Sequence, residues 1–267
     1  MISLMPYIGG KHRLAKEIAK RLHVPGVDTL CEVFGGSAAV MLNAGFKKRV
    51  YNDANNDLVN FFRVLADRGR CTEMVRLLHA MPPSRTIYEQ CGKVHGSDIE
   101  RAAATIYRQM FAFGGKGRCG GLSVSLGDRH GIKEIVRYRS LLRRIESFSE
   151  FFGCTMIECA DYQTIITSYG QKENVVLFCD PPYVGTEHYY NNGGFSDWDH
   201  FNLAQMLQDI PAHVVLTYYD APLIRSLYPE SLWQWEAVSA TKNCQFRSGH
   251  KQKVDEYIIS KRLSPEA

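Results

Sequence analysis

Asp180-Pro181-Pro182-Tyr183 follows the apolar run Val175-Val176-Leu177-Phe178-Cys179. Each residue type in it has a task if an amine conjugated to an aromatic ring must attack an electrophilic carbon. The lone pair of such an amine is delocalised into the ring, and hydrogen-bond acceptors localise it. The carboxylate of Asp180 and the carbonyl of Pro181 can each accept one N–H, drawing the nitrogen towards tetrahedral geometry and stabilising the positive charge that develops. Two prolines stiffen the chain so that the acceptors stay in place, and Tyr183 can stack on a base drawn out of its helix. The same tetrapeptide also reads as a rigid turn closing a strand, so its weight depends on its company.

That company points to a nucleoside. Glu32-Val33-Phe34-Gly35-Gly36-Ser37 leaves the short apolar run Thr29 to Phe34 without the G-x-G-x-x-G that cradles a pyrophosphate, which argues against NAD or FAD. The glycine pair still lets backbone approach a ligand closely. Asp53 ends the next run, Arg49 to Asp53, where a carboxylate can accept from both hydroxyls of a ribose. S-adenosylmethionine is a nucleoside without phosphates, and its sulfonium carries an already activated methyl, so no covalent enzyme intermediate is required. Methylation at carbon-5 of cytosine would call for a cysteine nucleophile after a proline, and the chain has no Pro-Cys pair. Eight cysteines without C-x-x-C and nine histidines without H-E-x-x-H lead us to expect reduced thiols and no metal site.

These groups need a scaffold that collects strand ends. Leu14, Ile18 and Leu22 mark a first helix, Thr29 to Phe34 a strand, Ser37 to Leu42 a helix opening directly from it, Arg49 to Asp53 a second strand, and Leu58 to Leu65 another helix. Such β-α-β alternation predicts a parallel sheet. Helical segments then follow one another: 73–81, a stretch near Tyr88, and 98–111 behind a Ser97/Glu100 capping box. The turn-rich Gly114 to Gly121 and the alternating Leu122 to Leu126 read as a hairpin or loop, and a helix over about 132–149 returns the chain. Alternation resumes with strands at 154–158, 175–180 and 213–218, helices at 161–168, 199–208 and 221–227, and late strands at 233–238 and 256–262. The expected fold is α/β: a Rossmann-like doubly wound sheet built from 1–66 and 148–267, carrying an inserted, mainly helical domain over 67–147.

Length, composition and charge agree with this. The 267 residues hold 45% hydrophobic and 22% charged side chains, with no run of eighteen apolar residues to span a bilayer. The first residues lack the order of a signal peptide, so a cytoplasmic location is expected. The net charge is only +4, yet residues 101–144 carry ten Lys/Arg against two acids, +8 locally against −4 for the remainder. A basic region beside a slightly acidic body is the footprint of a polyanion-binding part attached to a small-molecule part. Lys116 and Arg118 at the glycine-rich tip, with Arg129, Arg137 and Arg139, are the candidates for contact with a duplex. Residues 184–195 read as a flap over an extruded base or as a surface loop. Lys242 to Lys253, with four Lys/Arg and no acid, reads as a phosphate-tracking segment or as coil.

The chain resembles the D12-class, or Dam-like, DNA adenine-N6 methyltransferases, bacteriophage members included, over nearly its whole length. Tyr7-Ile8-Gly9-Gly10-Lys11 is similar to the family's aromatic-x-Gly-Gly-Lys signature, Glu32 to Ala39 to its E-P-F-x-G-x-G-S segment, and Tyr51-Asn52-Asp53 to its acidic strand end; D-P-P-Y is intact. The motifs stand in the family's order. The resemblance implies that Tyr7, Gly9, Lys11, Asp53 and Asp180 line an S-adenosylmethionine pocket with Phe34 and Gly36 nearby. It also implies that Asp161-Tyr162 sits by the cofactor adenine and that 67–147 is the target-recognition domain. Val33 replaces the usual proline, and Ala38 stands where many members have a second glycine. The implied activity is methyl transfer to N6 of adenine in duplex DNA, leaving S-adenosylhomocysteine, by base flipping and direct in-line attack. A monomer acting alone is the default, while cytosine-N4 methylation and a non-catalytic DNA-binding role on the same fold are the rivals.

Overall fold

In the computed structural model the residues described are 2–117, 120–123, 132–186, 194–241 and 253–262. Seven strands, β1 (Thr29–Glu32), β2 (Lys48–Asn52), β3 (Met156–Glu158), β4 (Val175–Cys179), β5 (His213–Tyr219), β6 (Trp233–Thr241) and β7 (Lys253–Lys261), form one sheet. Its order is β3-β2-β1-β4-β5-β7-β6. The first five strands run parallel, and β7 enters antiparallel between β5 and β6. Strand order reverses where β1 lies between β2 and β4. That switch point is where ligands bind in open α/β sheets, outside the carboxyl ends of the strands.

The helices are α1 (Ala15–Leu22), α2 (Met41–Ala44), α3 (Asn56–Ala66), α4 (Arg68–His79), α5 (Arg85–Cys91), α6 (Asp98–Phe111), α7 (Lys133–Leu142), α8 (Ser149–Gly153), α9 (Tyr162–Tyr169), α10 (Asp197–Gln208) and α11 (Pro222–Leu227). They cover both faces of the sheet, so β4 is buried along its whole length. Alternation sends Val176 and Phe178 into one apolar cluster, and Val175, Leu177 and Cys179 into the other. The first cluster takes α1 to α8; the second takes α9, α10 and α11. Helices α4 to α7 are thus packed in the same core as α3, with Cys71, Leu78, Tyr107 and Tyr138 buried alongside Phe61, Phe62 and Leu65.

Helix starts follow local chemistry. Asn55 caps α3 by accepting from the backbone N–H groups of Asp57 and Leu58, and the expected Ser97/Glu100 capping box opens α6. A second box, Ser196/Asp199, opens α10 two residues ahead of the expected start. One expectation needs correction. The helix after β1 does not open at Ser37 but at Met41, because Gly36 (φ 48°) and Ala38 (φ 54°) both lie in the left-handed region and keep 33–40 irregular. Of the hairpin or loop expected for the glycine-rich segment, the described residues form the loop: a single 3-10 turn at Phe113–Gly115 and an isolated bridge from Ala112 to Leu122.

Ala38 is fully buried in a conformation that costs an L-residue about 1–2 kcal/mol. Ala38→Gly is therefore expected to stabilise the protein by about 0.5–1 kcal/mol once the greater freedom of glycine in the unfolded chain is set against the relief. The readout is a thermal midpoint raised by roughly 1–3 °C; an unchanged or lower midpoint would contradict it.

Candidate active site

Backbone geometry at the switch point is fixed by side chains that tolerate no extra atom. A Cβ on Gly35 would lie 2.2 Å from the Tyr51 ring, and one on Gly36 would lie 2.9 Å from Tyr7. The glycine pair is the only residue choice that lets the turn after β1 close over Tyr51, whose hydroxyl donates to the Gly36 carbonyl at 2.8 Å. Asn52, 1% exposed, donates to the carbonyls of Val33 and Ala160 and accepts from the Ala160 N–H. One amide thereby joins the loops that follow β1 and β3.

These loops surround a cavity of about 580 Å³. Its lining includes every residue expected in the cofactor pocket: Tyr7, Gly9, Lys11, Phe34, Gly36, Asp53, Asp161, Tyr162 and Asp180. Pro182 and Lys116 also reach it, whereas Pro181 and Tyr183 do not. Asp53 accepts from the Gly36 N–H through Oδ2 and from the Asn55 N–H through Oδ1, each at 2.8 Å. Each oxygen keeps acceptor capacity for a hydroxyl. Burial raises the Asp53 carboxyl, and these two backbone bonds pull it back down. Asp161 caps α9 through the Gln163 N–H while facing the cavity, so the structural and the binding readings of this residue coexist.

Phe34, Tyr162 and Phe195 form an aromatic wall, with Phe34 stacked on Tyr162 at 5.9 Å and edge-on to Phe195 at 5.8 Å. A flat heterocycle suits such a wall. Glu32, 1% exposed, accepts from the Met41 N–H through Oε1, while its buried Oε2 has no hydrogen-bond partner among the described residues. The site thus offers one carboxylate with two acceptor oxygens for a ribose, an aromatic slot for a base and an unpaired acidic oxygen for an ammonium group. This donor set fits S-adenosylmethionine.

Burial pushes the Glu32 carboxyl up to about 8, with Asp180 and Asp53 adding repulsion. The folded protein therefore holds a proton there that the unfolded chain releases above pH 4.5. Stability from this group is present at low pH and lost as pH rises from 4.5 towards 8, on the order of 5 kcal/mol. Glu32→Gln is expected to flatten that part of the stability profile and raise the cofactor-free melting point at pH 8; urea titrations at pH 5 and pH 8 check it.

Asp180 stands at the carboxyl tip of β4. Its Oδ1 accepts from Thr217 on β5 at 2.7 Å, and its Oδ2 pairs with Lys11 Nζ at 2.7 Å. Burial raises its carboxyl; Lys11 opposes this, and Glu256 adds to the rise. Tyr183 is 6% exposed: its ring packs edge-on to Tyr219 at 4.6 Å, its hydroxyl donates to Glu256 Oε1 at 2.6 Å, and Lys11 Nζ lies 4.9 Å from the ring centre.

The far wall comes from α6 and the turn after it. Gln109 Nε2 donates to the carbonyls of Pro6 and Gly115, both at 2.6 Å, and the Ile8 N–H donates to the same Gly115 carbonyl at 3.1 Å. The loop bearing Tyr7 and Lys11 is thereby tied to the segment bearing Lys116. Arg137 and Arg139 are exposed on α7, anchored by the buried Tyr138 between them, whose hydroxyl donates to the Leu78 carbonyl at 2.6 Å. Arg118, Arg129, most of the flap over 184–195 and nearly all of Lys242 to Lys253 lie outside the described residues. No cluster of side chains able to hold a metal occurs among the described residues. None of their helices is long and apolar enough to cross a membrane.

Glu256, Phe195, Asn52, Gln109 and the role of Glu32 were not anticipated. Only Glu32 and Asn52 carried a signal, as polar residues ending apolar strands.

A Rossmann-like sheet with a glycine turn in place of a pyrophosphate loop, a carboxylate ending β2 and D-P-P-Y ending β4 defines the class of S-adenosylmethionine-dependent methyltransferases. Similarity to known proteins narrows it: the family described as D12 class N6 adenine-specific DNA methyltransferase matches residues 7–243. The chain belongs to that family. A DNA N-6-adenine-methyltransferase of Escherichia phage P1 is 28% identical over 262 residues, covering 90% of this chain and 33% of that protein, so the chain spans about a third of the phage relative's length. Retron Ec67 DNA adenine methylase of Escherichia coli is 24% identical, with 97% and 90% covered. A DNA adenine methylase of Vibrio cholerae is 25% identical, with 96% and 94% covered.

Proposed function

We propose that the chain transfers the methyl group of S-adenosylmethionine to N6 of adenine in duplex DNA, by direct attack of the amine of a base swung out of its helix. The observation that carries this reading is the opening of Asp180 and Asp53 into one cavity from the ends of β4 and β2, the two strands that flank β1; we read the first as the acceptor of an amine and the second as the acceptor of a ribose. When bound, the cofactor supplies an electrophilic methyl on a sulfonium. Asp53 holds the ribose hydroxyls, the wall of Phe34, Tyr162 and Phe195 holds the cofactor's adenine, and Glu32 Oε2 faces its ammonium. Asp180 accepts one N–H of the target amine, and the Pro181 carbonyl, which has to be uncovered to the cavity as Tyr183 turns, accepts the other, so that the lone pair points at the methyl; the proton leaves after attack.

Residues 67–147 are the part we assign to target recognition. Lys116 lies at the cavity rim, and the exposed Arg137 and Arg139 extend the positive face. Arg118 and Arg129 belong to the same basic stretch of sequence. Tyr183 stacks on the incoming base after its ring turns from the packing described above.

The test is to incubate unmethylated duplex DNA with the protein and labelled S-adenosylmethionine, digest to nucleosides and identify the labelled one by mass. N6-methyl-2′-deoxyadenosine supports the reading. N4-methyl-2′-deoxycytidine would move the target to cytosine, and binding of DNA without any transfer would replace the enzyme with a binding protein.

A further inference from the structure

Glu256 is a buried carboxylate with no part in the chemistry above. It lies on β7 opposite Tyr219 of β5 and is 6% exposed. Its Oε1 accepts from the Tyr183 hydroxyl at 2.6 Å and stands 3.4 Å from Lys11 Nζ. The same ammonium is 2.7 Å from Asp180 Oδ2 and donates to the Gly9 carbonyl at 2.6 Å. One cation, 7% exposed, therefore sits between two carboxylates that reach it from different strands. A buried carboxylate costs several kcal/mol unless it is paired, so its presence beside the reacting group calls for a use.

The use follows from Asp180. Both of its oxygens are engaged, Oδ1 by Thr217 and Oδ2 by Lys11. A carboxylate clamped by an ammonium is a poor acceptor for a further N–H, because the cation has drawn its charge. Turning Asp180 to the target amine weakens its hold on Lys11, and a buried ammonium that loses a carboxylate partner is destabilised even with the Gly9 carbonyl still accepting from it. Glu256 stands 0.7 Å further from Lys11 Nζ than Asp180 does, at 3.4 Å against 2.7 Å, a shift that a flexible four-carbon stem absorbs easily.

We propose that Glu256 is a positioning residue for methyl transfer: it receives the Lys11 ammonium as Asp180 turns to the target amine. While it does so, its other contact holds the Tyr183 hydroxyl. Charge stays compensated throughout the exchange, and the Tyr183 ring turns to the base about the hydroxyl that Glu256 holds. The inference rests on the reading of Asp180 as the amine's acceptor.

Around Asp180 the titratable neighbours are Lys11 on the N-terminal loop, Glu32 ending β1, Cys179 on β4, Tyr183 after it, Tyr218 on β5 and Glu256 on β7. Removing the charge of Glu256 takes away a like-charged neighbour, so Asp180 ionises more readily.

Glu256→Gln keeps the size of the side chain and an acceptor for Tyr183 but deletes the charge. With saturating duplex DNA and cofactor, kcat is expected to fall about tenfold or more, with the S-adenosylmethionine dissociation constant and the KM for DNA within about twofold of wild type. The acid limb of the kcat–pH profile should move to lower pH. Glu256→Asp, which keeps the charge, should recover part of kcat and return the acid limb towards that of the wild type. A Gln variant with wild-type kcat and an unmoved acid limb overturns the proposal, as does an Asp variant no better than Gln. If Asp180→Ala were still active, the reading of Asp180 itself would fail. If Asp180→Ala were inactive and Glu256→Gln normal, only the role of Glu256 would fall.

Discussion

Asp180→Ala is expected to lower methyl transfer by roughly a thousandfold or more while leaving S-adenosylmethionine binding within about tenfold of wild type. Removing one preorganised partner of the reacting group commonly costs 100- to 1000-fold. Here the loss also removes the acceptor that localises the amine's lone pair. The fold should survive, because Lys11 still has Glu256 at 3.4 Å and the Gly9 carbonyl at 2.6 Å. Transfer of a labelled methyl to duplex DNA, with cofactor affinity measured by calorimetry on the same preparation, checks both halves. Retained turnover would remove Asp180 from the chemistry. In the wild type, acidification should abolish transfer at a pH above the ordinary aspartate range, because burial raises this carboxyl and its protonated form no longer accepts from the amine.

The second large effect falls on cofactor affinity. Asp53→Ala deletes two charge-assisted hydrogen bonds to the ribose, each worth about 1.5–3 kcal/mol. S-adenosylmethionine binding should weaken by about 3 kcal/mol, roughly a hundredfold. At saturating cofactor, kcat should change far less. The variant also frees the backbone N–H groups of Gly36 and Asn55, so some loss of thermal stability is expected without ligand. Asp53→Asn, which keeps one acceptor oxygen, should lie between the two. Unchanged affinity in Asp53→Ala would place the ribose elsewhere.

Much of the sheet was legible because its strands are short apolar runs closed by residues that cannot continue them. Val175 to Cys179 is such a run, and the helix over 98–111 could be placed to the residue from its capping box and its buried alanines. That these residues share one cavity was legible for the same reason: in a parallel sheet every strand end meets the same edge, so Asp53 and Asp180 come together whatever lies between them. Positions that depend on pairing across the chain were hidden. Nothing in the local pattern of 253–261 says that it enters antiparallel between β5 and β6, and it is the register of Glu256 with Tyr219 that brings this carboxylate to Lys11. Phe195 was read only as the end of a flap or surface loop over 184–195, because it follows a glycine pair, and its place in the aromatic wall was missed. The late start of α2 was missed because Ala38 adopts a backbone conformation that its own side chain disfavours.

Phe61, Phe62 and Leu65 on α3 are fully buried, and their cluster is completed by Cys71, Met74, Leu78, Ile106, Tyr107, Tyr138 and Leu141 from α4, α6 and α7. Cutting out 67–147 would leave that face of α3 wet, and the excised piece would lose the surface it folds against. Grafting this stretch from one relative into another would therefore disturb the foundation of the catalytic sheet. On the recognition role proposed for 67–147, new sequence preferences are expected to come from exchanging exposed side chains, such as Arg137 and Arg139, more easily than from swapping the stretch as a cassette.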